Sequence, residues 1–143
     1  MKKLFSVLAI LGALYLGSAQ FGGIFEFTQG STAGNEQIAN AFRDQTSGLQ
    51  VTGEGIVSKL LPDENEGSAH QRFILRLASG QTLLIAHNID VAPRVASLEA
   101  GDTVAFHGVY EWNSKGGVIH WTHHDPRGEH RAGWLKHGGE TYQ

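Results

Sequence analysis

Eight histidines in a chain of 143 residues that has no cysteine are the side chains best suited to chemistry. Five of them, His120, His123, His124, His130 and His137, fall in one stretch with Asp125 among them. Imidazole nitrogens together with carboxylate oxygens form the ligand set of zinc, manganese or iron sites. The same groups act as general acids and bases near neutral pH. The lack of cysteine removes disulfides, thiolate metal sites, a cysteine nucleophile and a lipid-modified cysteine behind a leader. The spacings His120-x-x-His123 and His124-x5-His130 match no metal signature, and a helical HExxH is absent. Each histidine taken alone therefore reads first as a donor that pins a loop to a backbone carbonyl, and only the cluster as a group gives ligand or metal binding equal weight. The acidic run from Asp63 to Gly67 lacks the twelve-residue calcium-loop pattern and reads as a solvated turn. Ser58, Ser68 and Ser79 have no nucleophile-elbow context.

The histidines gain meaning from the elements that place them. Asn35 is expected to cap a short helix with Ile38, Ala41 and Phe42 on one stripe, ended by Thr46-Ser47-Gly48. From Leu49 the apolar period becomes two, and Gly53 and Gly55 inside that run mark a bend that lets one strand serve two neighbours. Pro62 to Ala69 reads as a loop. His70 to Ala78 and Gln81 to Asn88 read as a hairpin around Ser79-Gly80. Asp90 to Leu98 reads as a helix with Pro93 near its start and Gly101 as its stop. Thr103 to Glu111 and Val118 to Thr122 close the pattern. The order predicts an all-β domain with short helices: a five-stranded OB-like barrel with an N-terminal helix and a helix between strands 3 and 4. Its expected core is Val51, Val57, Phe73, Leu75, Leu84, Val104, Phe106 and Trp121.

That topology opens the start of strand 2 and the ends of strands 3 and 5 at the same end of the barrel. His70, the run His87-Asn88-Ile89-Asp90 and the run His120 to Asp125 would then meet on one rim. A two-residue turn at Ser79-Gly80 would set His87 opposite Arg72 and on the same face as His70, whereas a three-residue turn with a bulge would break that register. On the last strand, Trp121 pairs with Ile119 in the core, which leaves His120 at the rim. The ligand-binding set predicted in this way is His70, Arg72, His87, Asn88 and His120. The metal-ligating set is His87, Asp90, His120, His124 and Asp125, for a divalent transition metal such as zinc.

The N-terminus reads as an export signal. Lys2 and Lys3 precede an apolar run from Leu4 to Leu16, and Gly17-Ser18-Ala19 supplies the small residues of a cleavage site. The run is shorter than the roughly 20 apolar residues a bilayer span requires. Residues 1–19 are thus expected to be a signal peptide, 20–48 an arm and short helix, and 49–143 the barrel with its tail, in a periplasmic or secreted protein. Eleven basic against 14 acidic residues leave a net charge of −3, the reverse of a general nucleic-acid or anionic-membrane binder.

Longer runs of the chain carry a resemblance. Leu60-Leu61-Pro62-Asp63, His70-Gln71-Arg72-Phe73, His87-Asn88-Ile89-Asp90, Gly101-Asp102-x-Val104-x-Phe106-x-Gly108-x-Tyr110 and Gly116-Gly117-Val118-Ile119-His120-Trp121-Thr122-His123 resemble a bacterial family of small exported proteins, domain-of-unknown-function family 3465. The resemblance runs from about Val51 to the C-terminus, including Asp125-Pro126 and Gly133-Trp134. It implies an OB-like exported domain and supplies no activity or functional residue.

Three functions compete on these residues. The first is a binding module whose rim holds a small or oligomeric anionic ligand. The second is a metal-dependent hydrolase of the phosphodiesterase kind. The third is a partner-binding domain of the cell envelope. The binding module ranks first because OB barrels mainly bind, and a fold alone licenses no reaction.

Overall fold

The computed structural model describes residues 33–143, so the expected signal peptide and the arm over residues 20–32 lie outside the described residues. Residues 33–43 are helical (α1). Seven strands follow: β1 Leu49–Glu64, β2 His70–Arg76, β3 Thr82–Asn88, β4 Thr103–Glu111, β5 Val118–His120, β6 Trp134–His137 and β7 Glu140–Tyr142. Asn35 lies within α1 rather than capping it. The helix ends in a Schellman pattern, with Gln45 at φ 53°, Gln45 N–H donating to Phe42 O at 3.3 Å and Thr46 N–H to Ala41 O at 2.9 Å. Ile38 and Ala41 join the core as their spacing predicts.

The protein is mostly β, with a ring-like sheet of five strands. Neighbours run β1-β2-β3-β5-β4, and β4 pairs back onto β1. The length of β1 makes this closure possible. Leu49 to Ile56 pair with β4 and Ile56 to Glu64 with β2, so the hand-over falls next to Gly53 and Gly55 as expected. Gly53 is needed for close approach, because a Cβ there would meet the Phe106 ring at 2.6 Å. Pro62 to Glu64 belong to β1, so the expected loop is confined to residues 65–69. Inside the ring lie Val51, Val57, Phe73, Leu75, Leu83, Ile85, Val104, Phe106, Tyr110 and Ile119.

Two expectations fail at specific places. The hairpin turn between β2 and β3 has three residues, Ala78, Ser79 and Gly80. Gly80 N–H donates to Leu77 O at 2.9 Å and Leu77 N–H to Gln81 O at 2.8 Å, with Gly80 at φ 88°. This is the type I turn with a glycine bulge, and it moves the register by one residue. His87 consequently faces Gln71 rather than Arg72, and His70 faces Asn88. Leu83 rather than Leu84 enters the core, and His87 turns inward with it.

The second failure is the helix expected between β3 and β4. Residues 89–102 form turns and bends. The backbone groups that a helix would pair internally are taken by side chains of the sheet. The buried Gln71 amide donates to Val95 O at 3.1 Å and accepts from Val95 N–H at 2.8 Å, while His87 Nε2 donates to Pro93 O at 2.9 Å. Pro93 removes a donor, and Ser97 at φ 55° takes a left-handed conformation that a helix does not tolerate.

The observed register predicts a contrast between adjacent leucines. Leu83→Ala should destabilise the protein by about 2–5 kcal/mol in urea unfolding through cavity formation. Leu84→Ala, on the outer face, should change stability by about 1 kcal/mol or less. Equal losses, or the reverse order, would refute the three-residue turn.

Candidate functional site

The chemistry-bearing face is built by an interruption in a strand. β5 leaves the edge of β4 at the pair Val109–His120, and β6 rejoins the same edge at His107–Trp134. Residues 121–133 therefore leave one continuous line of pairing as a loop. Trp121, at φ 55°, begins the departure and breaks the alternation of the strand. It does not pair with Ile119 in the core; Thr122 is buried instead, and Trp121 stays half-buried at the rim.

The loop is held by its own contacts. Gly133 N–H donates to His123 O at 2.9 Å across its neck. The Asp125 carboxylate accepts from the N–H groups of Arg127 at 3.0 Å, Glu129 at 2.8 Å and His130 at 2.7 Å. The bond from Arg127, followed by those from His130 and Glu129, lowers the Asp125 pKa below its ordinary value. The His130 ring stacks on Trp121 with centroids 3.9 Å apart and planes 10° apart, and His123 leans on the same indole at 5.3 Å. A loop stapled in this way is ordered before any ligand arrives.

Between the loop and the outer face of β2, β3 and β5 lies a groove of about 700 Å³. The sheet contributes His70, Ala86, Asn88 and His120, and the loop contributes Trp121, His123, Asp125, Arg127 and His130. The convergence expected from strand direction thus brings His70, Asn88, His120 and Asp125 together. It also gathers Trp121, His123, Arg127 and His130, which were not singled out as ligand residues. Their common signal was membership of one loop, and the strand periodicity that put Trp121 on the core face stops applying at its left-handed backbone.

Three of the four groove imidazoles share one anchoring pattern. His70 Nδ1 lies 2.9 Å from Ser68 O, His123 Nδ1 2.7 Å from His124 O and His130 Nδ1 2.8 Å from Arg131 O. A carbonyl oxygen only accepts, so each Nδ1 carries the proton and Nε2 is the nitrogen available to a ligand. His120 is arranged differently, with its Nε2 3.3 Å from Glu111 Oε1 and its Nδ1 left over.

The remaining predicted residues lie elsewhere or serve the fold. Arg72 donates from Nε to Pro62 O at 3.1 Å and lines a separate cavity of about 300 Å³ beside Asp63 and Arg94, which form an ion pair. Asp90 accepts from Ala69 N–H at 3.0 Å, tying the chain ahead of β2 to the end of β3. His124 is exposed and does not line the groove. His87 is fully buried with both nitrogens engaged: Nε2 donates to Pro93 O, and Nδ1 accepts from the Thr122 hydroxyl at 2.7 Å. Neither nitrogen of His87 is available to an ion. Among the described residues, no three His, Asp or Glu side chains come together as a metal-ligand set.

A model of the DUF3465 family, described as a protein of unknown function, matches residues 24–143, and the chain belongs to that family. A search of the curated proteins returned no match.

Burial lowers the His87 pKa from its ordinary 6.5, with His123 and His70 adding a smaller push in the same direction. Below about pH 6.5 the unfolded chain binds a proton that the folded His87 refuses, so stability should fall as pH drops from there. His87→Ala should remove about 2–4 kcal/mol at pH 7.5, since it leaves a cavity and strands Pro93 O and the Thr122 hydroxyl. It should also flatten the acid limb of a plot of thermal midpoint against pH. A variant of unchanged stability would show that His87 is not a structural group.

Proposed function

We propose that this DUF3465 chain is an exported binding module of OB-like barrel form whose groove holds a small or oligomeric anionic ligand. The strand order β1-β2-β3-β5-β4 with closure onto β1 supports the OB-like reading, since it is the order of that barrel. The N-terminal run behind Lys2 and Lys3 supports export, with cleavage after Ala19. Among the described residues no helix is long and apolar enough to cross a membrane.

The observation that carries the binding reading is the convergence of His70, His120, His123, His130 and Arg127 on one groove whose loop is already ordered. Arg127 is a permanent cation, and an imidazole whose Nδ1–H is held by a carbonyl gains a second, free N–H donor at Nε2 when it is protonated, which together favour an oxyanion. Of the two carboxylates that line the groove, Asp125 is already satisfied by three backbone N–H groups and Glu129 is exposed to solvent. The groove is several times the size of a single oxyanion, so a ligand with more than one anionic group fits it best. A metal-dependent hydrolase has less support, because His87 lies in the core with both nitrogens used.

Calorimetric titration with inorganic tripolyphosphate at about pH 6 and low salt should give saturable one-site binding that weakens as salt is added. Arg127→Ala and His120→Ala should each weaken it by about fivefold to tenfold, the scale of a lost charge-assisted contact, while the thermal midpoint stays within a few degrees. Absence of binding, or binding indifferent to both substitutions, would overturn the assignment of this groove.

A further inference from the structure

We infer that the groove takes up protons together with its anion, so that the anchored imidazoles of His70, His123 and His130 present acceptors when neutral in the empty groove and donors when it is occupied. This rests on the anion-binding reading and adds the chemical form in which the ligand is held. Three anchors on two separate segments impose the same constraint. The chain ahead of β2 anchors His70 through Ser68 O, and the two ends of the 121–133 loop anchor His123 and His130 through the carbonyls of His124 and Arg131. Each anchor consumes an Nδ1–H. A neutral imidazole with hydrogen on Nδ1 has only a lone pair on Nε2. A lone pair repels an oxyanion, so Nε2 must first gain a proton. The imidazolium then keeps its carbonyl anchor and donates to the ligand at once. An unanchored histidine would escape this requirement by switching tautomer and offering a neutral N–H.

The surrounding charges do not supply the missing protons' role. On β1, Glu64 stands across from His70, and on β4 Glu111 faces His120. Among the described residues, Arg127 on the loop is the one cation that lines the groove, opposed by Glu129 and by the backbone-bound Asp125. Asp90 is held by Ala69 N–H, and burial lowers the pKa of His87, whose two nitrogens are both engaged inside the protein. Arg127 alone therefore offers a single positive charge, which is too little for a ligand with several anionic groups. Among the described residues that line the groove, the imidazoles are the other groups able to add positive charge near neutral pH. The ligand class that follows is a chain of linked phosphates, free or carried on a nucleoside, bound as a proton-coupled complex.

Calorimetry of the full folded protein with tripolyphosphate, repeated in buffers of different ionisation enthalpy, reads proton uptake directly. Net uptake should be positive at about pH 7, and affinity should rise about tenfold or more between about pH 7.5 and pH 5.5, as linkage of at least one proton requires. His70→Gln should reduce both the uptake and the pH slope. Should that variant unfold, the Cε1–H resonances of wild-type His70, His123 and His130 give the same answer, because their titration midpoints should move upward when tripolyphosphate is added. ATP in place of tripolyphosphate separates the sources: equal binding points to the phosphate chain alone, and tighter binding adds the nucleoside against Trp121. Tight binding with zero proton uptake and no pH slope overturns this inference and leaves the groove assignment standing. No binding at either pH overturns both.

Discussion

The imidazole of His87 is the joint on which the rest of the molecule depends. It lies inside the ring-like sheet at the end of β3, and its two hydrogen bonds reach in opposite directions along the chain, to Pro93 O and to the Thr122 hydroxyl. One bond holds the long β3–β4 connection against the sheet. The other holds the first turn of the 121–133 loop. A buried polar group is tolerated only when satisfied, and here a single ring satisfies groups from two segments that have no other reason to meet. Gln71, its cross-strand neighbour, closes the same connection through both bonds to Val95. Two adjacent buried polar side chains therefore do the work that a helix was expected to do.

From this joint the groove follows. Because β5 and β6 lie in line along one edge of β4, the residues between them are free to form a loop without breaking the ring. The loop is closed at its neck by Gly133 and His123, organised from within by Asp125, and capped by stacking of His130 on Trp121. Loops placed on rigid scaffolds commonly carry binding residues, and this one keeps its shape through bonds of its own. The groove histidines differ from His87 in one decisive way. Both nitrogens of His87 are used inside the protein, whereas His70, His123 and His130 each spend one nitrogen on an anchor and keep the other for a ligand.

Membership of the DUF3465 family fixes the kinship of residues 24–143 without naming a reaction, so the chemistry has to come from the groove. The histidine cluster that suggested a metal centre divides in three dimensions into a structural ring in the core, an exposed His124, and a set around the groove. Asp125 likewise turns from a candidate ligand into the organiser of its loop. The second aromatic cluster, where His107 stacks on Trp134 at 5.8 Å and Lys136 Nζ sits 4.3 Å over that indole, decorates the outer face of β4 and β6 away from the groove.

The sequence by itself determined the approximate positions of β1 to β5, the bend at Gly53 and Gly55, and the direction in which each of those strands runs, whereas β6 and β7 fall in what read as a tail. Those follow from local period and glycine placement, which need no partner to be read. Strand direction in turn was enough to bring His70, Asn88, His120 and Asp125 to one place. Only the tertiary structure decided which way each side chain points there. One extra residue in the turn at Gly80 exchanged Leu84 for Leu83 and drew His87 into the core, and one left-handed residue at Trp121 exchanged that indole for Thr122. Face alternates at every residue along a strand, so a local conformational choice worth little energy reverses everything downstream of it. The segment from Asp90 to Leu98 was decided in the same way, since helical propensity there yields to Gln71 and His87, whose buried hydrogen-bonding needs exist only once the ring has closed.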